Sequence, residues 1–154
     1  MGFDLYGMNP KIKREESNIH SFSNSPEQDE INWKINAETG NYFRNTHVYW
    51  ITLAGYVVHF TEVLNKKDKE LFFYNENHFI PENKALLLSS QLQNLIDIGH
   101  TLKCIKDVKP IEGVKEIEQN GKKEFIKESF IPFSVENVQV FTTFCKNSGG
   151  FRIN

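Results

Sequence analysis

The chain has 154 residues, a formal net charge of −2 and two cysteines, so we expect one domain over residues 1–154 that needs no disulfide or metal to hold its core. The small negative charge argues against a protein that attracts phosphate backbones in general or anionic lipid. No apolar run approaches the ~20 residues of a membrane span, and the N-terminus lacks the apolar region of a signal peptide. We therefore expect a cytoplasmic protein.

The first forty residues contain two alternating segments separated by a polar one. Phe3 and Leu5 alternate with polar neighbours in GFDLYG, which predicts a short strand. Residues 11–30 have few apolar anchors, and we predict a mobile insertion there. The alternation in INWKINAETG predicts a strand or hairpin arm over residues 31–40.

Three segments have the apolar spacing of helices. The first runs from about Asn45 to Leu64. The second begins near Pro81, which suits a first turn, and ends at Gly99. The third begins at Ser134, a good N-cap, and ends in NSGG.

A strong turn signal, Asn120-Gly121, lies between two charged, alternating segments and predicts a β-hairpin over residues 112–130. The closing segment GGFRIN alternates like GFDLYG, and we expect these two terminal strands to pair. The predicted fold is therefore α+β, with about three helices packed on a small, mainly antiparallel sheet.

The stretch YFRNTHVYW, residues 42–50, is the first candidate binding site. Arg44 and Asn45 lie near the predicted start of the first helix, where free N–H groups and a positive side chain suit an anion. Tyr42 offers a ring that stacks on a planar ligand, and Trp50 with Arg44 would anchor a protein partner. The alternative is that Arg44 pairs with a carboxylate and the rings belong to the core.

His78, in NENHF, is the second candidate, because an Asn-rich turn before a helix offers backbone N–H groups and a titratable ring to an anion. The alternative is a capped turn with no ligand. If the fold brings Asp4, Tyr6 and Arg44 close to His78, the four would form an enzyme site for nucleotides or nucleic acid.

Motifs for catalysis or metal binding are missing from the sequence. It contains no Walker loop, dinucleotide-binding glycine pattern, nucleophile elbow, CxxC or HExxH, and its five histidines are far apart. Cys145 shares the apolar face of the third helix, which argues against a reactive thiol. We predict no catalytic residues, no metal and no cofactor.

Three separated segments carry a resemblance: MGFDLYGMNP, YFRNTHVYW and FSVENVQVFTTFCKNSGGFRI. In that order they resemble an uncharacterised family of small phage and bacterial proteins with MGFDLYG-x-NP, YFRN and FC-x-NSGGF motifs. The resemblance covers about half the chain and implies no established activity. This chain departs from it in lacking paired CxxC knuckles and in having extra residues before YFRN. The matching residues are Gly2 to Gly7, Asn9, Pro10, Tyr42 to Asn45, Trp50, Phe144, Cys145 and Asn147 to Phe151.

The missing catalytic motifs, the small size and the aromatic residues around Arg44 favour a non-catalytic binding protein, and the resemblance implies that it is of phage or mobile-element type. We expect it to act against host defence, by blocking a host immune protein or sequestering its signalling nucleotide. The two alternatives are an enzyme acting on nucleotides or nucleic acid and a structural or assembly module. Self-association as a homo-oligomer is left open, and neither membrane binding nor general nucleic-acid binding is expected.

Overall fold

Six strands and seven helices occur within residues 2–154, which are the residues that this computed structural model describes. The strands are β1 Gly2–Gly7, β2 Tyr42–Thr46, β3 His78–Pro81, β4 Ile111–Gln119, β5 Lys122–Phe130 and β6 Gly150–Ile153. The helices are α1 Glu16–Ile19, α2 Pro26–Glu38, α3 His47–Phe60, α4 Lys66–Leu71, α5 Glu82–Asp97, α6 His100–Cys104 and α7 Val135–Asn147. Over this part of the chain, no helix combines the length and apolar character needed to span a membrane.

Four strands form an antiparallel sheet in the order β2-β1-β6-β3. The α+β class, the antiparallel sheet and the pairing of the terminal strands are confirmed. Asp4 and Asn154 exchange backbone hydrogen bonds of 3.2 and 2.8 Å, so the first and last strands are joined along the middle of the sheet.

The two faces of this sheet have opposite character, because successive side chains along a strand point to opposite sides. The side chains of Phe3, Leu5 and Phe43 are buried beneath the helices, as are those of Phe151 and Ile153. We call the opposite side the outer sheet face, and its members follow from the strand register. They are Asp4, Tyr6, Tyr42, Arg44, Phe79 and Arg152.

Aromatic rings fill the core between the sheet and the helices. Trp50, in α3, is fully buried, and its Nε1 donates to the carbonyl oxygen of Phe72 at 2.8 Å. Phe141, in α7, has its ring centroid 5.4 Å from Phe43 and 6.0 Å from Phe151. These contacts fasten α3 and α7 to the sheet.

The prediction of about three helices is wrong, since the described residues contain seven, four of them 13 to 16 residues long. The extra long helix is α2, which replaces the strand or hairpin arm predicted over residues 31–40. Ser25 caps it by accepting from the N–H of Gln28 at 3.4 Å, and Pro26 occupies its first turn. The alternating Ile31, Trp33 and Ile35 therefore lie on a helix.

The predicted start of the first helix is also corrected, because residues 42–46 form strand β2 and α3 begins at His47. β2 pairs with β1 over its whole length, with Phe43 opposite Leu5. Backbone hydrogen bonds to a strand almost 40 residues away decide the conformation here, and a local apolar pattern carries no information about them.

Residues 11–30, predicted as a mobile insertion, contain α1 and the first turn of α2. This segment is joined to the body by hydrogen bonds. The backbone N–H of Arg14 donates to Asn41 Oδ1 at 3.0 Å, and its guanidinium donates to Asn32 Oδ1 at 3.0 Å. Asn36 Nδ2 donates to the carbonyl oxygen of Ile19 at 3.1 Å.

Strands β4 and β5 form a hairpin around Asn120-Gly121, whose φ angles of 55° and 75° suit a two-residue turn. Each strand makes its extensive contacts with the other. The base of the hairpin meets the body where the rings of Tyr49 and Phe130 stack at 6.3 Å. The hairpin is therefore an arm outside the main core.

Candidate functional site

Four of the predicted site residues, Asp4, Tyr6, Tyr42 and Arg44, lie together on the outer sheet face. The register places Asp4 opposite Arg44 and Tyr6 opposite Tyr42. The hydroxyl of Tyr42 donates to Asp4 Oδ1, and Arg44 Nε lies 3.6 Å from the same oxygen. The Tyr6 and Tyr42 ring centroids are 5.2 Å apart. The strands thus assemble one cluster from residues about 40 positions apart.

Both tyrosines of this cluster have pKa values above the ordinary one. Burial raises the pKa of Tyr42, and its hydrogen bond to Asp4 raises it further. Burial and the nearby Asp4 charge also raise the pKa of Tyr6. Because the ordinary tyrosine pKa is already about 10, both phenols are neutral at physiological pH. Neither can serve as a general base there.

One half of the outer sheet face is covered by the segment that follows β1. The imidazole of His20 packs edge-on against the ring of Tyr42, with centroids 5.5 Å apart, and lies 6.0 Å from that of Tyr6. Tyr42 is buried as a result. The half formed by β6 and β3 is more open, because the side chain of Phe79 is 45% exposed.

Arg152, in β6, is a candidate site residue that the sequence analysis did not name. Its cross-strand neighbours on the outer sheet face are Tyr6 on one side and Phe79 on the other. Its Nε is buried and has no hydrogen-bond partner within residues 2–154. The alternation in GGFRIN, with Phe151 and Ile153 inward, was the available signal, since it directs Arg152 outward.

Asn45 lies on the other side of β2 from Arg44. Its side-chain amide exchanges two hydrogen bonds, of 3.0 and 2.8 Å, with that of Asn137 in α7. The pair lines a groove of about 490 Å³ whose apolar walls include Trp33 and Tyr49. Asn45 therefore joins α7 to the edge strand, and Arg44 of the Asp4 cluster lines the same groove.

Trp50 and His78 are not part of the outer sheet face. Trp50 is a core side chain with no exposed surface, so its removal is expected to cost about 3–5 kcal/mol of stability. His78 lies opposite the buried Ile153 and so points to the core side of the sheet. His78 is therefore on the opposite side of the sheet from Asp4, Tyr6 and Arg44, with which the enzyme alternative grouped it.

His78 instead belongs to a cluster around Asp68. Its Nε2 lies 2.8 Å from Asp68 Oδ1, and Lys84 Nζ donates to Oδ2. Asn65 and Asp68 form a reciprocal capping box at the start of α4. Burial by itself would raise the pKa of Asp68, but the hydrogen bonds from Lys84 and His78 outweigh it and hold that pKa below its ordinary value. This cluster joins α4, β3 and α5.

The two cysteines do not supply an activated nucleophile. Burial raises the pKa of both the Cys145 and the Cys104 thiols. Cys104 Sγ lies 3.7 Å from His100 Nδ1, but the hydroxyl of Tyr56 already lies 2.9 Å from that nitrogen. Within residues 2–154 no group of three or more His, Cys, Asp or Glu side chains is placed to hold a metal ion.

Comparisons with protein-family models, curated proteins and solved structures found no match to this chain. The outer sheet face is the candidate functional surface. That face presents a guanidinium with a buried, unpaired donor, an exposed ring, and an Asp4–Arg44 pair that can both accept and donate hydrogen bonds. These groups suit ligand binding.

Proposed function

We propose that the protein is a non-catalytic binding protein whose outer sheet face binds a nucleotide-type ligand, with a phosphate at Arg152 and a base against Phe79. The observation that carries this proposal is the position of Arg152 between Tyr6 and Phe79 on the outer sheet face, where its guanidinium has no partner among residues 2–154. No ion pair within residues 2–154 involves Arg152, so the terminal nitrogens of its guanidinium can donate to a phosphate.

The chemistry of Arg152 favours a phosphate over a neutral acceptor. A guanidinium offers five donors in a planar fork, which matches the oxygens of a phosphate bidentately. Arg44, on the same face, supplies a second cation, although Asp4 lies 3.6 Å from its Nε and offsets part of its charge. One phosphate at Arg152 is therefore the expected anchor.

The rings beside Arg152 provide the place for a base. Phe79 is its cross-strand neighbour in β3 and is 45% exposed, and Tyr6 is its neighbour in β1. Stacking of a base on an aromatic side chain contributes about 1–3 kcal/mol. Asp4 can accept from an exocyclic amine or a ribose hydroxyl. An open antiparallel sheet with rings and arginines on one face can therefore hold base and phosphate together.

The biological role that fits such a site is sequestration of a signalling nucleotide by a phage-type protein that opposes host defence. The resemblance of the terminal motifs to small phage proteins and the lack of a catalytic motif support this role. Blocking a host immune protein directly is the alternative for a binding protein of this kind, and it predicts no nucleotide affinity.

The test is calorimetric titration of wild type with AMP, adenosine, ribose 5-phosphate and inorganic phosphate, followed by cyclic mononucleotides and dinucleotides. We expect AMP to bind more tightly than any of its fragments, because base and phosphate are held by different side chains. Arg152→Gln and Phe79→Ala should each weaken AMP binding by about tenfold or more.

Lys127→Gln, which removes one positive charge from the hairpin, is the matched control for Arg152→Gln and should bind AMP like wild type. Thermal unfolding of Arg152→Gln without ligand should be close to that of wild type, because Nε has no partner to lose. Absence of binding at millimolar nucleotide, or equal binding by Arg152→Gln, would overturn the proposal.

A further inference from the structure

The hairpin of β4 and β5 exposes apolar side chains that no other element within residues 2–154 covers. Each strand has nine residues, and the two strands make their extensive contacts with each other. Val114 and Phe125 are 69% and 72% exposed. A two-stranded ribbon without a third strand or a packed helix is only marginally stable in water. A surface that packs on the ribbon would therefore stabilise it.

Val114 and Phe125 lie on the same side of the ribbon. Directly opposite residues share a face, and the register pairs Val114 with Lys127, Glu116 with Phe125 and Glu118 with Lys123. The ion pair between Lys123 and Glu116, at 3.5 Å, confirms this assignment. We call this side the charged hairpin face, and its members are Glu112, Val114, Glu116, Glu118, Lys123, Phe125, Lys127 and Ser129.

The charges on this face are separated by strand. In β4 the charged members are all glutamates, and in β5 they are both lysines. From this separation we propose that the charged hairpin face binds the same face of a second copy of the chain. A two-fold axis parallel to the strands lays β4 of one copy over β5 of the other. The strand that carries the glutamates then faces the strand that carries the lysines.

This arrangement also covers the apolar side chains. Val114 of each copy lies over Lys127 of the other, and Phe125 lies over Glu116. The four apolar side chains therefore meet diagonally near the middle of the interface. Glu118 of one copy lies over Lys123 of the second copy. The other face-to-face symmetry, with an axis across the strands, would place glutamates over glutamates, so repulsion selects against it.

The size of the face sets the expected affinity. Two strands of nine residues cover about 30 Å by 10 Å, or roughly 300 Å² in each copy. Stable interfaces bury about 800 Å² in each partner. The dimer is therefore weak and depends on concentration, and added salt weakens it further because its charge pairs are exposed.

The test is sedimentation velocity of the full chain from micromolar to millimolar concentration, at low and high salt. We expect wild type to shift reversibly from monomer to dimer at low salt. The triple variant Glu112→Lys/Glu116→Lys/Glu118→Lys makes every charge on the face positive, and the double variant Lys123→Glu/Lys127→Glu makes every charge negative. Each variant alone should therefore remain monomeric. An equimolar mixture of the two should associate again, because opposite rows then meet.

The matched control is Lys115→Glu/Lys122→Glu, which makes the same charge change on the other side of the ribbon and should dimerise like wild type. Circular dichroism of each variant establishes that it is folded. A wild type that stays monomeric at millimolar concentration, or a variant mixture that fails to associate, would overturn the proposal. So would capture of a different protein by the charged hairpin face in place of a second copy. Nucleotide titrations of the same variants should match wild type, which separates this inference from the proposed ligand site.

Discussion

Two carboxylates of this molecule have similar partners and different surroundings. Asp4 accepts from Tyr42 and lies beside Arg44, whereas Asp68 accepts from Lys84 and contacts His78. The side chain of Asp68 is 5% exposed and that of Asp4 is 32% exposed. A charge that is removed from water depends on its partners far more than a charge that water still reaches.

This difference in exposure separates a structural cluster from a candidate site. Asp68 also holds the N-terminus of α4 through its capping box with Asn65, so three elements meet at one side chain. Asp4 lies on the outer sheet face, which also carries Arg152, whose Nε has no hydrogen-bond partner within residues 2–154. A carboxylate with basic neighbours can therefore stabilise the fold at one position, as Asp68 does, and remain accessible to a ligand at another, as Asp4 does.

The largest effect is expected from Asp68→Ala. It leaves Lys84 and His78 without their shared acceptor and removes one half of a capping box, which should cost about 3–5 kcal/mol of unfolding free energy. Asp4→Ala should cost no more than about 1 kcal/mol, because water can replace its contacts. Urea denaturation of the two variants gives the comparison, and equal losses would contradict it.

The second effect is a loss of stability in acid that depends on Asp68. Its pKa is lower in the folded protein than in the unfolded chain, so its contribution is fully present above the unfolded value of about 3.9. That contribution is lost as the pH falls through the folded pKa. Unfolding free energies measured from neutral pH down to that range should fall less steeply for Asp68→Asn than for wild type. Asp4→Asn serves as the control.

The third effect is a modest change from Tyr42→Phe. The substitution removes a hydrogen bond to a carboxylate that water can still reach and keeps the packed ring, so about 1 kcal/mol should be lost. Thermal denaturation measures this loss. Tyr74→Phe, at an exposed tyrosine, should be neutral, and a loss of several kcal/mol for Tyr42→Phe would show that the cluster is structural like the one at Asp68.

The smallest expected effect is a delayed ionisation of Tyr42 in alkali, measured by absorbance. Tyr42 and Tyr6 have pKa values above the ordinary 10, so their neutral forms stabilise the fold, and this contribution is lost as the pH rises above 10. Absorbance of phenolate in alkali should show Tyr42 ionising after the exposed tyrosines. The late component should be missing in Tyr42→Phe, and a wild type in which all tyrosines ionise together would contradict the assignment.

Local sequence patterns predicted the helices and strands whose start and stop signals lie within the element or directly beside it. The alternation of GFDLYG gives β1, Pro81-Glu82 and Gly99 bracket α5, and Ser134 caps α7 by accepting from Asn137. In each of these segments the signal lies within a few residues of the structure that it specifies. The candidate residues on the outer sheet face were found for a similar reason, because they lie in short segments rich in charged and aromatic side chains.

Segments whose conformation depends on distant partners could not be predicted in the same way. Residues 42–46 are a strand because β1 lies beside them, and the bond from Tyr42 to Asp4 joins residues 38 positions apart. The hydrogen bond from Lys84 to Asp68 joins α5 to α4 across 16 positions of the chain. A sequence window of ten residues contains only one partner of each contact, so it cannot predict either of them.

The sequence by itself determined the α+β class, the terminal strands and the caps and stops of its clearest helices. These features follow from side-chain period and from backbone preferences that act within a turn or a strand. Only the tertiary structure decided which charges meet, which rings stay exposed and that Arg152 lies between Tyr6 and Phe79. Those outcomes follow from strand register and burial, which are set by the whole chain when distant segments pack.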